Sequence, residues 1–370
     1  MAVSGTGAMA EGAAAQTRNA LTPYFRWRAG VGGRLLLRHG TRLNRFGWLP
    51  ATHGPAAAAA MAKPTPPMTS EPTLSSAEDA VGLCLAGQIS AEVALARLLL
   101  GGKAAARIGR ELDARRPEPP CPRWEALRRL LDRHAAALDR LAAEIAETSG
   151  DHSALGRDAA EGLAAIAAFF DRAVAHSPEA GVALYSLGDP TILAAATAEV
   201  VRWLEDAGLL RFGADVLDLG CGFGRIAAAL SPRCRSVLGL DVSAGMVAEA
   251  RHRHAALPNI RFETTPGRDL SALPAEGFDL VLAVDSFPYL VQAGVAEAHV
   301  AGAARALRAG GVLAVLNLSY RGDPDLDRVD ARRWAGAHGL ALETAGANPF
   351  TLWDGAAFVF RRPGARAGAD

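Results

Sequence analysis

The amino-acid sequence predicts an α/β protein in which a helical region precedes a mostly parallel β-sheet. From Ala214 onward, short apolar runs alternate with helical stretches, which is typical of parallel strands joined by right-handed helical crossovers. Before that residue, apolar side chains recur at spacings of three and four, the period of an α-helix. The last two apolar runs are separated only by a loop, which predicts an antiparallel hairpin at the edge of the sheet.

Composition limits the class of protein. Half of the 370 residues are hydrophobic, so the chain can bury a sizeable core. The 39 basic and 39 acidic residues give no net charge, and hence no overall attraction to nucleic acid or to an anionic membrane. No apolar run approaches the ~18 residues that span a bilayer. The four cysteines form no CxxC pair, so we expect neither a zinc site nor a disulfide framework, but a cytoplasmic protein.

The ends of the chain are predicted to be disordered tails, over 1–70 and 363–370. The first is rich in Ala, Gly, Pro and Arg and shows no sustained period. An organelle transit peptide is one interpretation, because the segment is rich in Arg and almost free of acids. Its scarcity of serine favours the other, a solvated tail or an upstream start codon, with Met61 or Met68 as the true start.

A helical region is predicted over 71–180. Its longest helix carries one apolar seam, in which a histidine is expected to be a core residue; the seam consists of Trp124, Leu127, Leu131, His134, Leu138, Leu141 and Ile145. Three heptads are few for a free coiled coil, so we expect a helical hairpin packed on the next domain. That domain is expected over 181–362, and its first helix has a strong start signal, with Asp189 as N-cap before Pro190.

The apolar runs in this second domain predict its strands. The five runs of the parallel part are Val216–Leu219, Ser236–Leu240, Ile260–Thr264, Phe278–Val284 and Val312–Leu318. The two runs of the terminal hairpin are Leu340–Ala345 and Ala356–Phe360.

A glycine-rich loop follows the first strand, in the segment DLGCGFGR from Asp218 to Arg225. Glycines let such a loop pass close beneath a ligand before it opens a helix. The loop departs from the dinucleotide fingerprint GxGxxG, because Arg225 stands where the third glycine belongs. A carboxylate at Asp218 would also repel a pyrophosphate, whereas it would attract an ammonium group.

Further acids follow the next strands. Asp241 ends the second strand, where a carboxylate can accept hydrogen bonds from both ribose hydroxyls. Asp269 and Leu270 follow the third strand, where a polar group can meet an adenine edge. Asp285 follows the fourth strand. Since the carboxyl ends of parallel strands share one edge of a sheet, Asp218, Asp241 and Asp285 are expected to face a single crevice.

Together, five segments resemble the class I S-adenosylmethionine-dependent methyltransferase family over about Gly181 to Arg362. In chain order the segments are DLGCGFGR, LGLDVS, GRDL, FDLVLAVDSFPYL and LRAGGVL. The resemblance implies a Rossmann-like sheet of seven strands with an antiparallel last strand. It also implies S-adenosyl-L-methionine as the cofactor.

The resemblance also implies residue roles. Backbone at Gly220 and Gly222 would line the methionine part of the donor, and Asp218 would reach its amino group. Asp241 would bind the ribose, Asp269 with the Leu270 backbone would bind adenine, and a tyrosine before the first strand would close over the donor. The expected cofactor-binding residues are Asp218, Gly220, Cys221, Gly222, Gly224, Asp241, Val242, Asp269, Leu270 and Tyr185.

Asp285 is the best-placed candidate for a catalytic role, as a base or as an anchor for the acceptor. The alternative is a structural role, in which its side chain caps the next segment. The function that the sequence favours is methyl transfer to a small-molecule acceptor, with no nucleic-acid partner. The sequence does not determine the oligomeric state. A protein or RNA acceptor docked on the helical region is an alternative, as is a donor-binding scaffold without activity. A nicotinamide oxidoreductase is disfavoured by Asp218 and Arg225.

Overall fold

The computed structural model describes residues 79–148, 158–176 and 178–364. The tail predicted over 1–70 lies outside the described residues, as do positions 365–370 of the tail predicted at the other end. Helices that precede the sheet are α1 (Ala80–Leu85), α2 (Ala91–Leu100), α3 (Ala105–Ala114), α4 (Pro122–Thr148), α5 (Ala159–His176), α6 (Pro178–Val182) and α7 (Pro190–Asp206).

The second part of the chain alternates strands and helices. Its strands are β1 (Ala214–Leu219), β2 (Cys234–Asp241), β3 (Ile260–Thr264), β4 (Phe278–Val284), β5 (Leu307–Leu316), β6 (Ala341–Ala347) and β7 (Ala357–Arg361). Its helices are α8 (Arg225–Leu230), α9 (Ala244–Arg253), α10 (Phe287–Gln292), α11 (Ala296–Ala306) and α12 (Pro324–Ala337).

The sheet has seven strands in the order β3-β2-β1-β4-β5-β7-β6. The pairs from β3 through β5 are parallel, and β7 runs antiparallel to both β5 and β6. This confirms the predicted seven-stranded α/β fold with a reversed last strand. The order of the strands reverses between the neighbours β1 and β4. The carboxyl ends of strands at such a switch point frame a crevice.

Helices α1 to α4 bury their own apolar cluster. Leu127 and Leu138 in the seam of α4 are fully buried, and the indole of Trp124 donates to the Leu112 carbonyl of α3 at 3.0 Å. His134 lies in the same seam with its Nε2 3.5 Å from Asp189 Oδ2, at the start of α7. The Asp189 carboxylate accepts from the Thr191 N–H, which confirms the predicted helix start. The seam therefore packs α4 against α3 and against the first helix of the next domain.

Strand boundaries near β5 differ from the prediction. The strand begins at Leu307 instead of Val312, because the segment expected to be a turn pairs with β4 from Leu307↔Phe278 onward, with a register shift. It ends at Leu316 because Asn317 adopts a left-handed conformation, with φ of +72°. In the terminal hairpin, β7 occupies the inner position beside β5, so β6 forms the edge of the sheet.

The helical region is joined to the loop between β6 and β7 by an ion pair whose arginine is buried. Arg97 of α2 donates through Nε and Nη2 to Asp354 Oδ2, at 3.0 and 2.9 Å. In the same loop, the rings of Phe350 and Trp353 stack with centroids 5.2 Å apart, and Tyr185 packs on Trp353. In the part of the chain that the structure describes, no helix has the length and apolar character needed to cross a membrane.

Candidate functional site

The glycine-rich loop runs from β1 into α8 in a conformation that requires glycine. Gly220, Gly222 and Gly224 have φ values of +73°, +52° and +83°. A Cβ atom at Gly220 would collide with Ser286, and one at Gly222 would lie 2.9 Å from a methyl group of Val182. The loop therefore passes between the end of β4 and the chain before β1, and side chains larger than glycine at these positions would displace it.

A cleft lies at the carboxyl ends of β1, β2 and β4, beneath α5. It encloses about 900 Å³ of empty space, part of which is open to solvent. Among the residues expected from the sequence, those that line it are Asp218, Gly220, Cys221, Gly222, Asp241, Val242 and Asp285. The structure thus brings the ends of three strands into one crevice, at the switch point of the sheet.

Asp218 is the most deeply buried of the three acids, with 1% of its surface exposed. Its carboxylate accepts from the Ala227 N–H of α8 at 3.2 Å. Burial raises the pKa of this group to about 7, against the opposing effects of the Arg225 guanidinium and the Ala227 N–H. A positive ligand group in the cleft would therefore favour its ionised form.

Asp241 fixes the glycine loop to the turn after β2. One carboxylate oxygen accepts from the Gly222 N–H at 2.8 Å and the other from the Ser243 N–H at 2.9 Å. Burial raises the pKa of Asp241, and these N–H donors act in the opposite direction. Each carboxylate oxygen can accept a second hydrogen bond, so the pair of oxygens suits the two hydroxyls of a ribose.

Arg225 is a residue of the cleft that the sequence analysis noted only as a departure from a fingerprint. Its guanidinium donates to Thr197 Oγ1 at 2.8 Å and to the Tyr185 hydroxyl at 3.2 Å. It also lines the cleft together with Asp218. The signal in the sequence is its place as the first residue of α8, where its side chain can turn back toward the loop.

Tyr185 does not line the cleft, and its closing over a donor stays a prediction. It lies in a short 3-10 helix, Leu184–Ser186, is 6% exposed, and contacts Arg225 and Trp353. Leu187, with φ of +55°, ends this turn in a left-handed conformation. The cover over the cleft comes from α5, through Leu163, Ile166 and Phe170.

Gly224, Asp269 and Leu270 also lie away from the cleft lining. Gly224 precedes α8 and packs against Phe262. Asp269 is exposed, and its carboxylate accepts from the Ser271 N–H at 2.8 Å, a contact that together with the Ser271 hydroxyl lowers its pKa. Leu270 is buried beneath α11. Thr265, Gly267 and His299 line the cleft at this end instead.

Asp285 is held in an unusual backbone conformation, with φ of +58° directly after β4. Its Oδ1 accepts from Asn317 Nδ2 and from the Tyr320 hydroxyl, both at 2.8 Å. Asn317 itself follows β5 with φ of +72°. Left-handed residues other than glycine concentrate at functional sites, and Asp and Asn tolerate the conformation best. The two strand ends thus fix one carboxylate at the cleft.

Helix α5 is tied to the other side of the cleft by Asp171. Its Oδ1 accepts from the Ser243 hydroxyl at 2.6 Å and from the Gly245 N–H at 2.8 Å. Both donors belong to the turn between β2 and α9, immediately after Asp241. Hydrogen bonds therefore join the cover of the cleft to the turn that follows Asp241.

Comparison with known proteins bears on the same segment. Residues 216–311 match the family model for a methyltransferase domain. Trans-aconitate 2-methyltransferase of Deinococcus radiodurans is 41% identical over 107 residues, which cover 28% of this chain and 37% of that protein. A probable thiol methyltransferase of Arabidopsis thaliana is 33% identical over 104 residues, which cover 28% of this chain and 42% of that protein. The chain thus spans less than half of the length of either relative.

A solved phosphoethanolamine N-methyltransferase of Haemonchus contortus is 14% identical, with a TM-score of 0.41 over 57% of this chain and 50% of that one. The family match rests instead on the segment from β1 into β5, which contains the glycine loop and all three cleft acids. Residues 216–311 are thus similar to a methyltransferase domain, and they lie within a sheet of seven strands in the order β3-β2-β1-β4-β5-β7-β6.

Proposed function

We propose that the protein transfers a methyl group from S-adenosylmethionine to a small-molecule acceptor bound in the cleft. The observation that carries this proposal is the position of Asp218 and Asp241, buried on either side of a glycine loop in one crevice. The names of the two curated relatives, a trans-aconitate and a thiol methyltransferase, support an acceptor of small size.

The donor has groups that suit each wall of the cleft. Its ammonium group pairs with Asp218, and its carboxylate pairs with the Arg225 guanidinium, which Tyr185 and Thr197 hold in place. The ribose hydroxyls donate to Asp241. The adenine then lies toward Gly267 and His299, with the Asp269–Leu270 turn as the proposed outer edge of its site.

The reaction needs little from the protein beyond alignment. The sulfonium is already activated, so a nucleophile attacks the methyl carbon in line and the bond to sulfur breaks. Holding donor and acceptor in that geometry supplies much of the acceleration. Where the nucleophile carries a proton, Asp285 accepts it, because this carboxylate is fixed at the cleft by Asn317 and Tyr320.

Donor binding tests the first half of the proposal. Calorimetric titration of the full-length protein should show binding of S-adenosylhomocysteine and none of NAD. Asp241→Ala should weaken S-adenosylhomocysteine by at least about tenfold, since charge-assisted hydrogen bonds are worth about 1.5–3 kcal/mol each. Asp325→Ala, a change at an exposed acid of α12, is the matched control. Unchanged affinity in a folded Asp241→Ala protein would remove Asp241 from the donor site.

Turnover tests the second half, because a scaffold without activity would also bind the donor. Formation of S-adenosylhomocysteine is followed with methyl-labelled donor and a mixture of small acceptors. Asp285→Asn should keep donor affinity and lower turnover by about 10²–10⁴-fold, the range of a general base. If Asp285→Asn lowers turnover by less than about fivefold, Asp285 has a structural role and is not the base.

A further inference from the structure

The charge of the cleft limits which acceptor can enter it. Among the described residues that line the cleft, three carboxylates, Asp218, Asp241 and Asp285, face a single guanidinium, that of Arg225. His299 also lines the cleft, and burial lowers its pKa, so it adds no positive charge near neutral pH. The lining therefore holds more acidic than basic side chains, and once a carboxyl group there is ionised it attracts a positive charge strongly.

The donor does not neutralise this excess of acidic side chains. It carries two positive groups, an ammonium and a sulfonium, and one carboxylate, so it adds one net positive charge. In the donor pose above, Asp218 and Arg225 are paired, and Asp241 meets uncharged hydroxyls. One negative charge remains, and Asp285 is the carboxylate of the cleft that the donor does not engage in this pose. An anionic acceptor would add to that charge, whereas a cationic acceptor would cancel it.

Aromatic rings accompany Asp285 at this end of the cleft. Phe170 and Tyr289 line it, with ring centroids 5.2 Å apart in an edge-to-face pair. Tyr320 packs against Tyr289 in the same manner, at 5.6 Å, and its hydroxyl donates to Asp285. Asn317 also donates a hydrogen bond to the Asp285 carboxylate. A carboxylate beside aromatic rings is a combination that recognises organic ammonium ions.

We propose, on the basis of the methyl transfer proposed above, that the acceptor is a small organic amine, bound as an ammonium ion between Asp285 and the rings of Phe170 and Tyr289. The ammonium gives one proton to the Asp285 carboxylate, which becomes a carboxylic acid. The freed lone pair of nitrogen attacks the methyl carbon, and the electron pair of the carbon–sulfur bond passes to sulfur. The products are an N-methylammonium ion and neutral S-adenosylhomocysteine thioether, and Asp285 returns its proton to water.

The test measures binding of three probes to full-length protein saturated with S-adenosylhomocysteine. Phenethylamine, 2-phenylethanol and phenylacetate share a phenyl group and differ mainly in the charge of the head group. Phenethylamine should bind at least about tenfold more tightly than phenylacetate, with the alcohol between them. Asp285→Asn should remove this preference and leave the affinity for S-adenosylhomocysteine within about twofold. Asp325→Asn, the same change on exposed α12, should keep both.

Each other result counts against the amine acceptor. Equal or tighter binding of phenylacetate overturns it, as does an unchanged preference in Asp285→Asn. So does the absence of phenethylamine binding at millimolar concentration in protein that binds S-adenosylhomocysteine. If S-adenosylhomocysteine itself does not bind, the proposed function fails, and this outcome is distinct from the first three.

Discussion

Asp218 is a carboxyl group of the cleft with a pKa near neutral pH. Burial raises the pKa of this carboxyl group from 3.8 to about 7, so the empty protein keeps it protonated over that interval. The folded chain then binds more protons than the unfolded chain, and the contribution of Asp218 to stability falls as pH rises from about 4 to about 7. Pairing with an ammonium group requires the ionised form, so donor affinity changes in the opposite direction.

The affinity for S-adenosylhomocysteine should therefore increase as pH rises toward about 7 and level off above it. Below the pKa, the expected loss approaches tenfold for each pH unit, because one proton must leave before the ion pair forms. Calorimetry between pH 5.5 and pH 8.5 measures this slope. Asp218→Asn should bind more weakly with a flat profile, and a profile that keeps its slope in this variant would assign the titration to another group.

Asn317 has two separable roles beside Asp285. Its backbone has φ of +72°, and its side chain donates to the Asp285 carboxylate. Asn317→Gly keeps the backbone conformation and removes the hydrogen bond, whereas Asn317→Ala removes the bond and strains the backbone. Turnover should fall in both variants. Chemical denaturation should show a loss of about 1 kcal/mol for Asn317→Ala relative to Asn317→Gly.

Equal turnover in Asn317→Gly and the wild-type protein would show that Tyr320 alone suffices to position Asp285. Equal stability of the two variants would mean that the left-handed conformation at this strand end relaxes without strain.

The sequence predicts residues of the site when they lie at strand ends, because parallel strands place their carboxyl ends along one edge. Asp218, Asp241 and Asp285 are of this kind, and all three lie in the cleft. Asn317 and Tyr320 contact Asp285 only through the pairing of β4 with β5, and no local pattern marks them. Residues that join a site through long-range contacts can therefore be identified only in the folded protein.

At the scale of elements, α5 is the cover of the cleft. Leu163, Ile166 and Phe170 lie over the cleft, and Asp171 bonds the turn after β2. Because these side chains line the cleft, we expect α5 to move when a ligand enters or leaves it. Movement of a covering element on binding and release of a ligand is common in enzymes.

Asp171→Ala removes two hydrogen bonds from this cover, and it should speed the release of S-adenosylhomocysteine several-fold. Each lost hydrogen bond contributes about 0.5–1.5 kcal/mol to the closed arrangement. Stopped-flow displacement gives the release rate, and hydrogen exchange should show faster exchange in α5. Asp206→Ala, at an exposed acid ending α7, is the control. Release at the wild-type rate would show that α5 does not limit exit from the cleft.

Element boundaries follow from the sequence where local signals are strong. The start of α7 is fixed by the Asp189 cap and Pro190, and β3 and β4 have the predicted bounds. The early start of β5 at Leu307 depends instead on pairing with Phe278 across the sheet. The contact between the Tyr185 hydroxyl and the Arg225 guanidinium likewise depends on tertiary packing.

At the scale of the molecule, an ion pair with a buried arginine joins α2 to the loop between β6 and β7. Arg97 is 4% exposed, whereas the Asp354 side chain is 37% exposed. The two residues are 257 positions apart in the chain, so their contact couples regions that fold from distant segments. The partners are unequal, because only Arg97 lies fully inside the protein.

This inequality predicts an asymmetry in stability. Asp354→Ala leaves a buried guanidinium without its partner and should destabilise the protein by roughly 3 kcal/mol. Arg97→Met removes the charge and keeps the apolar volume, while Asp354 turns to water, so the loss should be about 1 kcal/mol. The double variant should resemble Arg97→Met, since no buried charge remains. Equilibrium urea unfolding measures all three, with Arg333→Met of the exposed pair with Glu297 as control. Equal destabilisation by Arg97→Met and Asp354→Ala would contradict this prediction. The attraction between the two charges would then contribute more to stability than the cost of burying an unpaired Arg97 guanidinium.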